Sequence, residues 1–261
     1  MPFPEIKGVR YDICPIDNVV CLLNFSQIYK IDSEPPSKFQ ESISLVFPEA
    51  KPPLIGEVGV NADPNQPPLP IQTSMIYLFG TEDGVWEVSL SRTDLCLRNN
   101  GRYTSWKEFD EKMKVIIDAL LECYPVKCFT RVGIRYTNVF IRSKLNLECE
   151  WADLIEKPFC GALSTEIYSN VENISNVCEI GLQEGRGKAR VMTTLVTGAN
   201  DPNHEICFML INDLFILGRV SAEKIHEELK FLHLRATRLF RFVITKKLHN
   251  AMGPEEYDEN E

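Results

Sequence analysis

Two arginines, Arg131 and Arg135, stand four positions apart in a stretch whose side chains alternate between polar and apolar. In a strand this spacing puts both guanidiniums on one face, about 13 Å apart at the backbone. Gly133 between them leaves room for a close approach. Such a pair can hold a phosphate, a carboxylate or an acidic peptide segment, because a guanidinium bonds these groups bidentately. The alternative is structural: each arginine pairs with a carboxylate of a neighbouring element, Asp94 or Glu87 for example. A second cationic set, Arg235, Arg238 and Arg241 with Lys230, Lys246 and Lys247, recurs along the last helical stretch. It reads either as a face for nucleic acid or an acidic partner, or as a solvated outer side.

Other chemistries lack parts. Cys123 and Cys128 have no second Cys or His pair at zinc-like spacing, and His226 and His233, seven apart on a helix, stand about 10 Å apart. No metal site and no cofactor are expected. Arg219 and His226 have the Arg-x6-His spacing of certain all-helical ribonucleases, but here the pair straddles a strand exit and a helix start. Gly185-Arg186-Gly187 lacks the Lys-Ser/Thr of a phosphate loop, and no Gly-x-Ser-x-Gly elbow occurs. No catalytic residue is assigned.

The elements that must position these groups are legible from periodicity. Residues 129–141 read as a long strand, with Val132, Ile134, Tyr136, Asn138 and Phe140 on one side and Arg131, Gly133, Arg135 and Thr137 on the other. Strands are expected at 19–28, 75–80, 86–92, 94–99, 177–183, 190–197 and 206–213, with a short edge strand at 57–60 between two proline-rich stretches, the second of them at 64–70. Helices are expected at 36–46, capped by Ser33 or Ser37, at 105–123, where Ser105 and Glu108 form a capping-box pattern, near 151–155, and at 221–250. Three strands, a helix and a strand, then three strands and a helix, give an α+β chain of two related halves, each a mainly antiparallel sheet packed by one long helix. The halves are drawn at 1–145 and 146–254, followed by an acidic disordered tail at 255–261.

Composition bounds the rest. The chain has 261 residues, 28 Lys+Arg against 37 Asp+Glu, and a net charge of −9. That balance argues against strong nonspecific binding to nucleic acid, which depends on neutralising phosphates. Nine scattered cysteines and an opening without an apolar leader point to reduced thiols in a cytoplasmic protein. The longest hydrophobic region, 206–220, is broken by Asn212 and Asp213 and is too short for a bilayer, so no membrane contact is expected.

Several local patterns taken together carry a resemblance. They are Tyr103-Thr104-Ser105-Trp106 ahead of a helix with Phe109, the strand Arg131-Val-Gly-Ile-Arg135-Tyr136-Thr-Asn138, and His233 with residues 240–245 in the last helix. The chain resembles a sporadically distributed prokaryotic family, known only by number, whose members carry an Arg-x-Gly-x-Arg-Tyr-x-Asn strand. The likeness spans residues 74–250. The family has no established catalytic activity. Its patchy distribution implies accessory genes, such as phage-defence, CRISPR-associated or toxin-related operons, and a partner protein from the same operon. The expected function is therefore a non-catalytic, regulatory protein-binding module. A ribonuclease or nucleic-acid-binding effector, or a sensor of an anionic ligand, are the alternatives.

Overall fold

The computed structural model describes residues 3–58, 72–197 and 204–257. The proline-rich stretch 64–70, the turn 200–203 and the last four residues of the acidic tail lie outside the described residues. The fold is mixed α+β with antiparallel strand pairing, as the sequence indicates. Its contacts divide into two compact units. One comprises Val20–Val132 and Leu217–His226, the other Met1–Val19, Gly133–Ile216 and Glu227–Glu261.

The first unit contains most of β2 (Ile16–Phe25), then α1 (Tyr29–Ser33), α2 (Ser37–Ile43), β3 (Glu49–Val58), β4 (Gln72–Gly80), β5 (Trp86–Leu90), β6 (Asp94–Asn100) and α3 (Trp106–Cys123). Strand order is β3-β4-β5-β6-β2. Alternation explains the strands: Trp86, Val88 and Leu90 turn inward along β5 while Glu87 and Ser89 do not. Helix α3 begins as expected, with Ser105 Oγ accepting the Glu108 N–H, and buries Phe109, Met113, Ile116, Ile117 and Leu120.

Two expectations fail here. Strand β3 starts at Glu49 instead of 57, and runs through Pro52 and Pro53. It lies at the end of the strand order, and its register shifts between Lys51 and Leu54, so the missing N–H donors fall at a bulge on an edge. Helix α2 is shorter than 36–46 and has no side-chain cap; Pro36 occupies the cap position and Ser37 is already inside the helix. Helix α1 was not foreseen. It is held through Asp32, whose carboxylate accepts Ser74 Oγ and Met75 N–H at 3.1 Å each and Arg92 Nη1 at 3.0 Å.

The second unit contains β1 (Gly8–Tyr11), most of β7 (Cys128–Phe140), α4 (Lys157–Cys160), β8 (Ser175–Gly181), β9 (Lys188–Thr197), β10 (Ile206–Ser221) up to Ile216, most of α5 (Ile225–Val243), α6 (Lys246–Ala251) and β11 (Pro254–Tyr257). Strand order is β7-β10-β9-β8. The expected helix 221–250 is broken. After Val243, Ile244 forms a β-bridge with Ile155, and Thr245 donates its N–H to Leu154 O, then caps α6 by accepting the Leu248 N–H. A distant segment thus offers the backbone better partners than the helix would.

Part of the acidic tail is also ordered. Strand β11 pairs antiparallel with β1, setting Glu255 opposite Arg10 and Tyr257 opposite Gly8. Gly8 is required there, since a Cβ would meet the Tyr257 ring at 2.6 Å. Gly253, at φ +68°, makes the turn into β11 over the Asp12 side chain.

The Asp32–Arg92 pair supplies a test of the first unit. Arg92 is 9% exposed at its side chain, so removing its carboxylate leaves a desolvated guanidinium. Asp32→Ala is expected to lower stability by about 3 kcal/mol, read as a drop in the urea midpoint at unchanged slope.

Candidate functional site

In the second unit the strand registers sort side chains onto two faces. Val191 stands opposite Asn212 and Cys178, whereas Met192 stands opposite Ile211 and Val177. The Val191 face is covered over β9 and β10, while Cys178 on β8 stays exposed. Thr193 Oγ1 donates to Phe159 O at 2.9 Å, Asn176 donates to Thr193 at 3.0 Å, and Phe208 meets the Trp151 ring at 5.5 Å. Asn138 donates to Leu210 O at 3.2 Å on that side, and Tyr136 is hydrogen-bonded to His233 Nδ1 at 2.9 Å.

The Met192 face stays open. Val177 is 62% exposed, and Met192, Met209 and Ile211 keep part of their surface in solvent. A charge ladder crosses one end of this face. Arg135 Nη2 donates to Asp213 Oδ2 at 3.0 Å; Asp213 stands opposite Arg190, and Arg190 opposite Glu179, whose carboxylate accepts Arg190 Nε at 2.9 Å. The Arg190 hydrogen bond holds the Glu179 carboxyl below the usual carboxylate range. Asp213 is 6% exposed at its side chain and Arg135 47%, so Arg135 is the open, cationic end of this pair.

The two arginines of the strand motif therefore have separate settings. Arg135 belongs to the second unit and is bonded to a strand carboxylate, Asp213, from 78 residues away. Arg131 belongs to the first unit, is half-buried, and lies close enough to buried Cys21 for its charge to oppose the rise that burial imposes on that thiol.

The cationic residues of the last helix are not an open stripe. Phe3 packs on Phe242 with ring centroids 5.6 Å apart, and Glu5 pairs with Arg238 at 3.6 Å, so the N-terminal segment covers part of α5. Arg241 is half-buried and its charge is felt by Tyr11 and His249. Arg235 is only 7% exposed. Its Nη2 donates to Gln183 Oε1 at 3.1 Å, and its guanidinium lies 4.7 Å from the Phe231 ring centroid. Arg186 lies 4.3 Å from the same ring and is bonded to Glu227 and Glu228. Burial, with the neighbouring Arg238 and Arg186 charges, pushes Arg235 below the usual guanidinium range.

Among the described residues, no three His, Cys, Asp or Glu side chains gather where they could hold one metal ion. Arg219 lies on β10 and His226 in the first turn of α5, at a strand exit and a helix start. All nine cysteines are free; Cys21, Cys160 and Cys207 are buried, and burial pushes the Cys160 thiol up to about 11. No described helix is long and apolar enough to cross a membrane.

The chain matches no protein-family model and no curated protein.

Sequence reasoning missed Gln183, Arg186 and Phe231 as neighbours of Arg235. The available signal was the Gly185-Arg186-Gly187 turn. Gly185, at φ +71°, is a left-handed position that a larger residue would resist, and it precedes the arginine that lies on Phe231.

Tyr136 and His233 provide a pH test. Burial, with a smaller push from Lys230, takes the His233 imidazole from 6.5 down to about 3, so the fold holds it neutral. Below pH 6.5 the unfolded chain takes up a proton that the fold refuses. Stability from this residue therefore falls as the pH drops from 6.5 towards 3, by about 1.4 kcal/mol per unit. At pH 5 the loss is about 2 kcal/mol relative to pH 7. Urea unfolding at pH 7, 6 and 5 should show a steeper loss in the wild type than in His233→Gln.

Proposed function

We propose that this chain is a non-catalytic protein-binding module acting in the cytoplasm, a regulator or adaptor of a prokaryotic accessory operon of the phage-defence or CRISPR-associated type. The observation that carries the reading is the open sheet face of the second unit. Val177, Met192, Met209 and Ile211 form an apolar surface across β8, β9 and β10, with the exposed Arg135 at its border. An apolar centre with a charged rim suits a protein surface better than a small ligand. The matching partner covers Val177 and Met192 with apolar side chains and sets a carboxylate against Arg135. The operon context comes from the resemblance alone, carried by residues 103–109, the Arg131–Asn138 strand and His233 with residues 240–245.

Two related halves, at 1–145 and 146–254, remain part of this proposal. Element order supports them: β4, β5 and β6 form an antiparallel run followed by α3, and β8, β9 and β10 form another followed by α5. Each half then serves as a scaffold whose helix buries one side of a sheet and leaves the other available.

The test is binding to proteins encoded beside this gene, read by copurification and by hydrogen exchange along β8 and β9. A partner should protect those strands. Val177→Lys combined with Met192→Lys should weaken it at least tenfold, about 1.4 kcal/mol, with little change in melting temperature. Absence of any binding neighbour, or unchanged affinity in the double variant, overturns the proposal.

A further inference from the structure

Arg235 presents a different problem from the other charged residues of its unit. It is 7% exposed, yet no carboxylate among the described residues bonds it. Among the described residues the guanidinium has one hydrogen-bond acceptor, the neutral amide oxygen of Gln183, and one aromatic face, Phe231. Its Nε is sealed from solvent and has no hydrogen-bond partner among the described residues. Glu227 and Glu228 do not help, because both are held by Arg186. Arg238, which pairs with Glu5 at 3.6 Å, adds a further positive charge nearby. A buried guanidinium in this state is costly, since one amide oxygen and the weaker pull of Glu5 replace little of its lost hydration.

An anion would resolve each of these deficits. The Nε–Nη2 side of a guanidinium offers two parallel N–H donors, matched to two oxygens of a phosphate or carboxylate. Gln183 occupies one of those donors with a single oxygen and leaves the other unused. The Phe231 ring lies against the guanidinium, so less side-chain freedom is left to lose on binding.

We propose that Arg235 anchors a binding site for an oxyanion group, phosphate or carboxylate, at the corner formed by Gln183, Arg186, Phe231 and Arg238. The incoming oxygens take the Nε and Nη2 donors in place of the Gln183 amide, and Arg238 adds a second cation. The site is separate from the open sheet face, and it stands whether or not that face binds a protein.

The experiment is a thermal-unfolding titration of the intact chain with potassium phosphate, and separately with potassium acetate, each against potassium chloride at matched ionic strength and pH. A ligand that binds only the folded state raises the melting temperature in a saturable way. At least one oxyanion should do so for the wild type, well beyond chloride, and which one does so separates the two sources. Arg235→Met should retain its melting temperature in chloride and lose the oxyanion response. Gln183→Ala removes the competing acceptor, so its half-saturating concentration should fall below that of the wild type. A wild-type response no greater than in chloride overturns the proposal. So does an equal response in Arg235→Met, and, should that variant fail to fold, so does an unshifted midpoint of titration in Gln183→Ala.

Discussion

The register of β7 against β10 in the second unit is set by two polar contacts, one on each face of the strands. On the covered face Asn138 donates to Leu210 O; on the open face Arg135 meets Asp213. Because side chains alternate with a period of two, slipping β7 by one residue would turn Arg135 into the core, away from Asp213, and Tyr136 and Asn138 out of it. Both errors cost free energy, one by burying charge and the other by exposing the Tyr136–His233 contact. The pairings of β9 with β10 and of β8 with β9 then carry the same sorting outward, to the Val191 side and the Met192 side. What the unit shows to solvent follows from that one alignment.

The alternation of 129–141 and the capped, amphipathic run of 105–123 were readable because the forces that shape them are local. The break after Val243 was not. It depends on Ile155, Leu154 and Asp153, which no window around 244 contains. The same is true of Pro52 and Pro53, which suit a strand only because β3 sits at the end of the strand order. In the site, the arginine residues were visible while their counterparts were not. Arg135 finds Asp213 in place of Asp94 or Glu87, because strand order, not sequence proximity, decides which carboxylate lies opposite. Arg235 falls on a helix side that reads as solvent-facing until the turn at 183–187 packs against it.

The unit treats its cations in two ways. Arg135, Arg186 and Arg190 are matched to carboxylates, so each charge is compensated where it stands. Arg235 meets an amide, an aromatic ring and other cations, with Glu5 opposing them more weakly. The contrast lies in chemistry and not in position, since Arg186 and Arg235 share one ring. Compensated arginines fix shape, whereas an uncompensated one keeps free energy in reserve for whatever can supply the missing charge.

The pairing of β1 with β11 links residues near opposite ends of the described chain, Gly8 beside Tyr257. During synthesis the first of these strands has no mate until all the segments between the two have been made. That ribbon must therefore close late, after the intervening segments have had time to collapse. It also brings Gly8 beside Tyr257, so joining the chain across this ribbon, with new ends opened in a loop elsewhere, would produce a permuted chain that keeps the described strand pairings.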